Sequence, residues 1–279
     1  MRMYIRCWGS RGSIPVSGSC YNRYGGDTTC MEIRSSKGDL IVIDTGSGCR
    51  SLGDKLAAEK IRKFDILYTH AHIDHLMGFP FFVPIYNKEN TITIHGCPFT
   101  MSSYKNILKG IMTAPYCPVE FKSIPAKLDF KIIESRPFRI GSLKITPIKL
   151  SHPNGGLGFS FEENGKKFVF LTDNELEYRH PNGFDHEDYA AFCRDADLLI
   201  HDAEYTPQDY NRAWGHSIFT HSVKLAIVAG VKRLGMFHIN QRRTDRQVDS
   251  MVKLARNLIA TLKADVDCFA VGNQYKITL

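Results

Sequence analysis

Five short apolar runs in this chain each end on a residue able to bind metal, and no other feature restricts its fold as much. The run at 66–69 leads into His70, the run at 143–150 into His152 and the run at 168–171 into Asp173. The run at 198–200 leads into His201 and Asp202, and that at 234–237 into His238. Apolar runs of this length read as buried strands. Strands hold donor groups rigidly at their C-terminal edges, while the loops beyond them admit a ligand. Five such ends call for an architecture that gathers five C-terminal strand edges around one centre. Turned inward without partners, polar groups of this kind would cost about 2–7 kcal/mol each.

The same patterning predicts further strands at 3–8, 29–34, 40–44, 91–95, 130–133, 158–161 and 266–271, and helices at 51–63, 98–110, 185–193, 217–230 and 244–263. Several strands pass directly into helices or polar loops, an α/β arrangement. No linker, repeat or low-complexity tract interrupts the sequence, so residues 1–279 are expected to form a single domain.

Composition narrows the function classes. With 43% hydrophobic and 23% charged residues the chain is an ordinary globular one. A net charge of +7 favours anionic substrates, but the cations are dispersed, with Arg242, Arg243 and Arg246 the densest group, which argues against a dedicated nucleic-acid surface. None of the eight cysteines forms a C-x-x-C pair, and Cys7, Cys30 and Cys268 sit in apolar runs, the usage expected of reduced thiols. The N-terminal M-R-M-Y-I-R-C-W is unlike a signal peptide and no run approaches membrane length. A cytoplasmic protein with no membrane partner is expected.

The stretch T-H-A-H-I-D-H at 69–75 carries the chemistry. His70 and His72 alternate, so an extended backbone projects both to one side. Asp74 and His75 follow where the chain turns into a short helix. One tetrahedral ion cannot easily use all four donors, whereas two neighbouring ions divide them, His70 and His72 on one, Asp74 and His75 on the other. Imidazole and carboxylate without thiolate suit Zn2+ and equally Mn2+ or Fe2+. Two such ions about 3.5–4 Å apart clamp the attacking and leaving oxygens of an in-line displacement, and water between them is strongly acidified.

Together with L-I-V-I-D-T-G-S-G (40–48), L-S-H-P (150–153), L-T-D (171–173) and M-F-H (236–238), in that order, this stretch resembles the metallo-β-lactamase superfamily. The resemblance spans nearly the whole chain. It implies a four-layer αββα sandwich with a dinuclear metal site on its edge: His70, His72 and His152 on one metal, Asp74, His75 and His238 on the other, Asp173 bridging both, and Asp44 beneath the site orienting ligands. His72 stands where oxygen-reducing diiron members carry glutamate, and Cys193 and Cys268 do not fall where a lactamase thiolate ligand would. The segments L-L-I-H-D-A-E-Y-T (198–206) and W-G-H-S (214–217) resemble the ribonuclease Z-like phosphodiesterase branch, with Asp202 in the place of its glutamate, His216 in that of its histidine and Ile218 in that of a threonine. A histidine held by a carboxylate stays protonated and can donate to a leaving alkoxide. The resemblance thus makes Asp74, Asp202 and His216 the catalytic candidates.

Members of that branch that process tRNA carry a Gly/Pro-rich arm, and no such insertion lies between Asp173 and His216. The segments at 8–18, 24–30 and 115–119 look like a smaller group related to small cyclic phosphodiesterases, although Asp27 stands where relatives often carry asparagine. The expected function is therefore hydrolysis of a small, cyclic nucleotide-like diester by a hydroxide bridging two divalent ions, zinc foremost. A tRNA 3′-processing endonuclease is the alternative, and a non-catalytic metal and nucleotide sensor a further one. A small anionic phosphodiester is the expected partner, with tRNA second, and a homodimer is expected. Arg11, among the turns at 9–12 and 25–26, is a candidate phosphate contact. His95, His180, His186 and His221 receive no role.

Overall fold

Alternation along the strands sorts the apolar side chains into layers. In β10 (Lys166–Leu171), Phe168 and Phe170 belong to one core and Val169 and Leu171 to another; in β11 (Leu198–Asp202), Leu198 and Ile200 face the first core and Leu199 the second. A strand covered on both faces reads as a continuous apolar run, as these do. The first core is shared by two facing sheets, and the second lies between one sheet and its helices.

This is seen in a computed structural model that describes residues 2–97, 103–273 and 275–279. One sheet contains β1 (Tyr4–Gly9), β2 (Cys30–Arg34), β3 (Leu40–Ile43), β4 (Lys63–Leu67), β5 (Thr91–Gly96) and β6 (Lys127–Ile132) in that order. The other begins at β7 (Phe138–Ile140) and runs through β8 (Leu143–Lys149), β9 (Leu157–Glu163), β10 and β11 to β12 (Arg233–Phe237) and β13 (Asp267–Ala270). The last strand, β14 (Lys276–Thr278), returns to the first sheet beside β1. Helix α1 (Cys49–Ala58) packs against β1. On the second sheet α4 (Phe219–Val228) covers β11 and β12, flanked by α3 (His186–Cys193), and α5 (Asp245–Thr261) covers β13. A further helix, α2 (Tyr104–Ile111), sends Tyr104 and Leu108 into the first core. Two mixed sheets between helical layers are the expected αββα sandwich.

The strand pairs β3–β4, β10–β11 and β11–β12 are parallel. Parallel pairing brings the C-terminal ends of neighbouring strands to the same edge, which is what the five donor-bearing ends demanded. The helix expected at 51–63 stops at Ala58, because Lys60 takes a left-handed conformation (φ 56°) and β4 starts at Lys63. Of the helix expected at 98–110, residues 98–102 lie outside the described residues. The three-residue strands β7 and β14 were too short to leave a periodic signal. No disulfide joins any of the eight cysteines. Among the described residues no helix is long and apolar enough to cross a membrane.

Candidate metal centre

Beyond β4 the chain bends at Thr69, and His72 is extended (φ −69°, ψ 153°) before a 3-10 turn at Ile73–His75. This stretch carries His70 and His72 together, and the turn swings Asp74 and His75 beside them. His152 follows β8, Asp173 follows β10 and His238 follows β12. Three residues at strand ends, Asp44 (φ 58°), Asp173 (φ 52°) and His238 (φ 54°), are left-handed. That conformation costs a non-glycine residue about 1–3 kcal/mol and collects at functional sites. Here it stops each strand and turns the side chain across the sheet edge.

The donor atoms gather in two groups. Those of His70, His72 and His152 lie within 4.8 Å of one another, as do those of Asp74, His75 and His238. Asp173 stands between the two groups: Oδ1 is 3.6 Å from His70 Nε2, 3.8 Å from His152 Nε2 and 3.2 Å from His238 Nε2, and Oδ2 is 3.4 Å from His75 Nε2.

Partners on the far side of the rings decide which nitrogens face the centre. His75 Nδ1 donates to Asp44 Oδ2 (2.8 Å), His152 Nδ1 to Gly215 O (2.9 Å) and His238 Nδ1 to Glu204 Oε2 (2.9 Å). Each bond fixes a tautomer and leaves Nε2 pointing inward. Asp44 is fully buried and also accepts from Thr69 N (2.8 Å) and Thr69 Oγ1 (2.7 Å), so it ties the start of the motif to the ring of His75. Two glycines make the approach possible. A Cβ on Gly12 would lie 2.4 Å from the His238 ring, and one on Gly215 (φ 89°) 2.1 Å from His152 Nδ1.

The electrostatics fit a divalent cation. Burial pushes His70 and His152 far below the usual imidazole range, so both are neutral and ready to coordinate. Burial acts the same way on His75 and His238, but Asp173 and the other carboxylates around them overcome it and hold both well above that range. Burial would raise Asp74 as well; His75 and the hydrogen bond from His238 reverse this and keep it ionised. His70 Nε2 and His75 Nε2 are buried without a hydrogen-bond partner, although both face the carboxylates. Unpaired inward nitrogens beside ionised carboxylates are the donor set that a divalent metal completes.

At the edge of this cluster lies a proton-handling pair. His216 Nδ1 donates to Asp202 Oδ2 (2.7 Å), and Asp202 Oδ1 accepts from Ser217 N (3.0 Å) and Glu204 N (3.1 Å). The His216 ring stacks on His238 at 4.5 Å, and its Nε2 lies 3.6 Å from Glu204 Oε2. Burial would depress this histidine, yet Glu204 and Asp202 raise it to about 9.

Two residues escaped the sequence reading. Glu204 follows Asp202 by two positions, the spacing that places both on one side of an extended segment, and that signal was available. Glu175 likewise follows Asp173 by two. It is buried and accepts from Tyr210 Oη, from Ala213 N and Gly215 N (2.7 Å each) and from His180 Nε2 (2.9 Å), which clamps the loop carrying His216. Two expectations need correction. His201 points to the opposite face from Asp202, where its ring meets Asn174 Nδ2 (3.2 Å) and Ser222 Oγ (3.1 Å), and burial lowers it to about 4. Arg11 is fully buried and bonded to Gly25 O (2.8 Å) and Arg243 O (2.7 Å), so it holds backbone and not phosphate. Asp27 is similarly occupied, by Ser47 Oγ (2.8 Å) and Asn273 Nδ2 (2.9 Å).

Comparison with known proteins agrees with this fold. Residues 40–239 match the model of the Beta-lactamase superfamily domain. The chain is 26% identical over 269 residues to a ribonuclease Z from Thermococcus onnurineus, covering 80% of this chain and 81% of that protein. Its fold is similar to that of the metallo-beta-lactamase fold protein YhfI from Bacillus subtilis, with TM-score 0.74, 16% identity and coverage of 99% and 98% of the two chains. It is similar also to that of yeast PDE1, with TM-score 0.71, 15% identity and coverage of 100% and 99%.

Proposed function

Since the chain belongs to the beta-lactamase superfamily and is a metal-dependent hydrolase, we propose that it cleaves a small phosphodiester, a cyclic nucleotide or a close analogue, at a centre of two divalent ions, zinc foremost. The observation that carries this reading is the Asp202–His216 pair at the edge of the donor cluster. Hydrolysis of an alkyl diester must protonate a poor leaving group, and a largely enclosed histidine held cationic beside the site is suited to that.

In this reading His70, His72 and His152 hold one ion and Asp74, His75 and His238 the other, with Asp173 shared. Ions bound there supply Lewis acidity toward a phosphoryl oxygen and ionise water near neutral pH. The chain's own part is orientation and proton transfer. Asp44 and Glu204 keep the His75 and His238 rings facing the centre, and Ser13 N donates to Asp74 Oδ2 (2.9 Å), which steadies that carboxylate. Asp202 keeps the proton on His216 Nδ1, and Nε2–H, too far from Glu204 for a strong bond, is free to donate to the departing oxygen.

A tRNA 3′-processing endonuclease is the second reading, favoured by the ribonuclease Z relative. The two separate on a panel of precursor tRNA and cyclic nucleotides offered to protein of known metal content. Cleavage of the cyclic diesters with the tRNA untouched supports the first reading, and the reverse outcome overturns it. Stoichiometric metal with no hydrolysis of any diester would leave a non-catalytic sensor. We propose a homodimer as well, supported by Tyr116, 83% exposed on a loop after α2; sedimentation at a monomer mass would refute it.

A further inference from the structure

Glu204 has more acceptor capacity than the centre uses. Its Oε2 accepts from His238 Nδ1 (2.9 Å) and its Oε1 from Asn240 Nδ2 (2.9 Å). Each oxygen of a carboxylate can take a second donor beyond the first. The side chain is largely enclosed but keeps 5% of its surface, and Glu204 and His216 line the same cavity of about 480 Å3. Oε2 stands 3.6 Å from His216 Nε2, the atom that hands its proton to the departing oxygen. Gly12 leaves that oxygen uncovered on one side, where a Cβ would lie 3.1 Å from Oε2. The carboxylate is also held in place. Asn240, which bonds Oε1, accepts from Arg242 N on its own Oδ1 (2.9 Å), and buried Arg11 donates to Asn240 O (3.3 Å). A fixed acceptor thus sits one step from the proton donor, on the cavity they share.

We propose that Glu204 reads a hydroxyl on the carbon next to the leaving oxygen, so that the preferred substrate is a ribonucleotide diester cleaved at its 3′ oxygen. When the 3′ oxygen of a ribose accepts from His216 Nε2–H, its cis 2′-hydroxyl lies within one hydrogen-bond length of it. Glu204 Oε2, 3.6 Å from Nε2, is then within reach of that hydroxyl and accepts from it. Carboxylates hold ribose hydroxyls in the same way at dinucleotide sites. In the reaction hydroxide from water joins phosphorus and the P–O3′ bond breaks. The 3′ oxygen takes the His216 proton, and the remaining proton of the water restores it, which leaves a 5′-monophosphate. A deoxyribose covers Oε2 without supplying the donor, and a covered acceptor left unpaired costs free energy. A 2′,3′-cyclic diester has no free hydroxyl beside its leaving oxygen and is disfavoured likewise. This assignment rests on the phosphodiesterase reading and names the sugar and the bond cleaved.

The test offers adenosine 3′,5′-cyclic monophosphate and its 2′-deoxy and 2′-O-methyl analogues to the metal-loaded protein, with hydrolysis and calorimetric binding both measured. The ribonucleotide is expected to exceed either analogue by about 10- to 100-fold in kcat/KM, the worth of a hydrogen bond to a charged group. Glu204→Ala and Glu204→Gln should slow every substrate, because His238 loses its orienting carboxylate. The readout is therefore the ribo-to-deoxy ratio at matched metal content, which a purely structural role for Glu204 leaves unmoved. That ratio should fall to within about 2-fold of unity in Glu204→Ala and to about 2- to 10-fold in Glu204→Gln, whose amide is a neutral acceptor. A ratio near unity in the unaltered chain, or one that survives Glu204→Ala, would overturn the proposal. Should the alanine variant fail to hold metal, an undiminished ratio in Glu204→Gln overturns it instead. Its failure is separable from that of the phosphodiesterase reading. Cleavage of cyclic diesters without regard to the 2′ position sinks only the role of Glu204, whereas binding that prefers the 2′-hydroxyl with no diester cleaved sinks the activity.

Discussion

Replacing Asp202 by asparagine separates proton donation from everything else the site does. The amide oxygen can still accept from Ser217 N and Glu204 N, so the local backbone has no reason to move. Its NH2 group, however, faces His216 Nδ1 across what is now a 2.7 Å hydrogen bond. Two donors cannot share that contact, and Nδ1 must give up its proton. In the unaltered chain burial opposes the charge on His216, and Glu204 and Asp202 together lift it to about 9. Losing the hydrogen-bonded one of its two neighbouring carboxylates lowers a desolvated histidine by about 1–3 units. Its alkaline limit then falls to roughly 6–8, because Glu204 still contributes. The acid form exists below its pKa, so activity that needs it is lost as pH rises through that value. At pH 8 the protonated fraction drops from about nine tenths to between about a half and a hundredth. Turnover of a diester with an alkoxide leaving group should fall at least in that proportion, and by about 10²–10⁴-fold for His216→Ala. A p-nitrophenolate leaving group needs no proton, so bis(p-nitrophenyl) phosphate should lose far less in either variant. The assay is a pair of pH–rate profiles, one per leaving group, on variants matched for metal content. Equal losses on both substrates, with the alkaline limb unmoved, would refute the assignment of His216 as acid.

Three further outcomes follow from the geometry. Glu175→Ala strips Ala213 N, Gly215 N, Tyr210 and His180 of their shared acceptor; denaturant titration should show a loss of about 2–4 kcal/mol, and activity should fall through the displaced His216 loop, whereas an unchanged midpoint would dismiss the clamp. His201 is held neutral, with its folded-state value depressed from 6.5 to about 4, so its contribution is fully present above the unfolded value and is lost as pH falls from 6.5 toward 4, by up to about 3 kcal/mol; His201→Gln should flatten acid unfolding across that window, and an identical slope would contradict it. Stripping divalent ions with a chelator should lower the melting temperature, since ligand at about 100 times its Kd stabilises by about 2.7 kcal/mol; His75→Ala should abolish most of the metal-dependent shift, and a shift of wild-type size in that variant would remove His75 from the ligand set.

Much of the molecule was legible in one dimension because its signals are local. Period-two alternation and short apolar runs placed most of the strands, and the H-x-H-x-D-H spacing already implied two groups of donors. Each later donor announced itself by ending an apolar run. What stayed illegible depends on which way a side chain turns at the end of a strand. His201 and Asp202 are neighbours at the end of β11, and sequence gives no reason to prefer either; alternation sends them to opposite faces, and only the arrangement of the layers decides which face holds the site. Arg11 reads as a surface cation beside glycines, yet it is buried and spent on backbone carbonyls more than 200 residues away in sequence. Glu204 and Glu175 are common carboxylates until tertiary contacts supply the histidine rings and amide hydrogens they receive. The sequence by itself determined the chemistry of the centre, because metal coordination needs particular donors and short-range spacing already groups them. Tertiary structure alone decided the orientation of each ring, the identity of the carboxylates behind them and the cavity alongside, because these arise from parallel strands and buried hydrogen bonds between residues far apart in the chain.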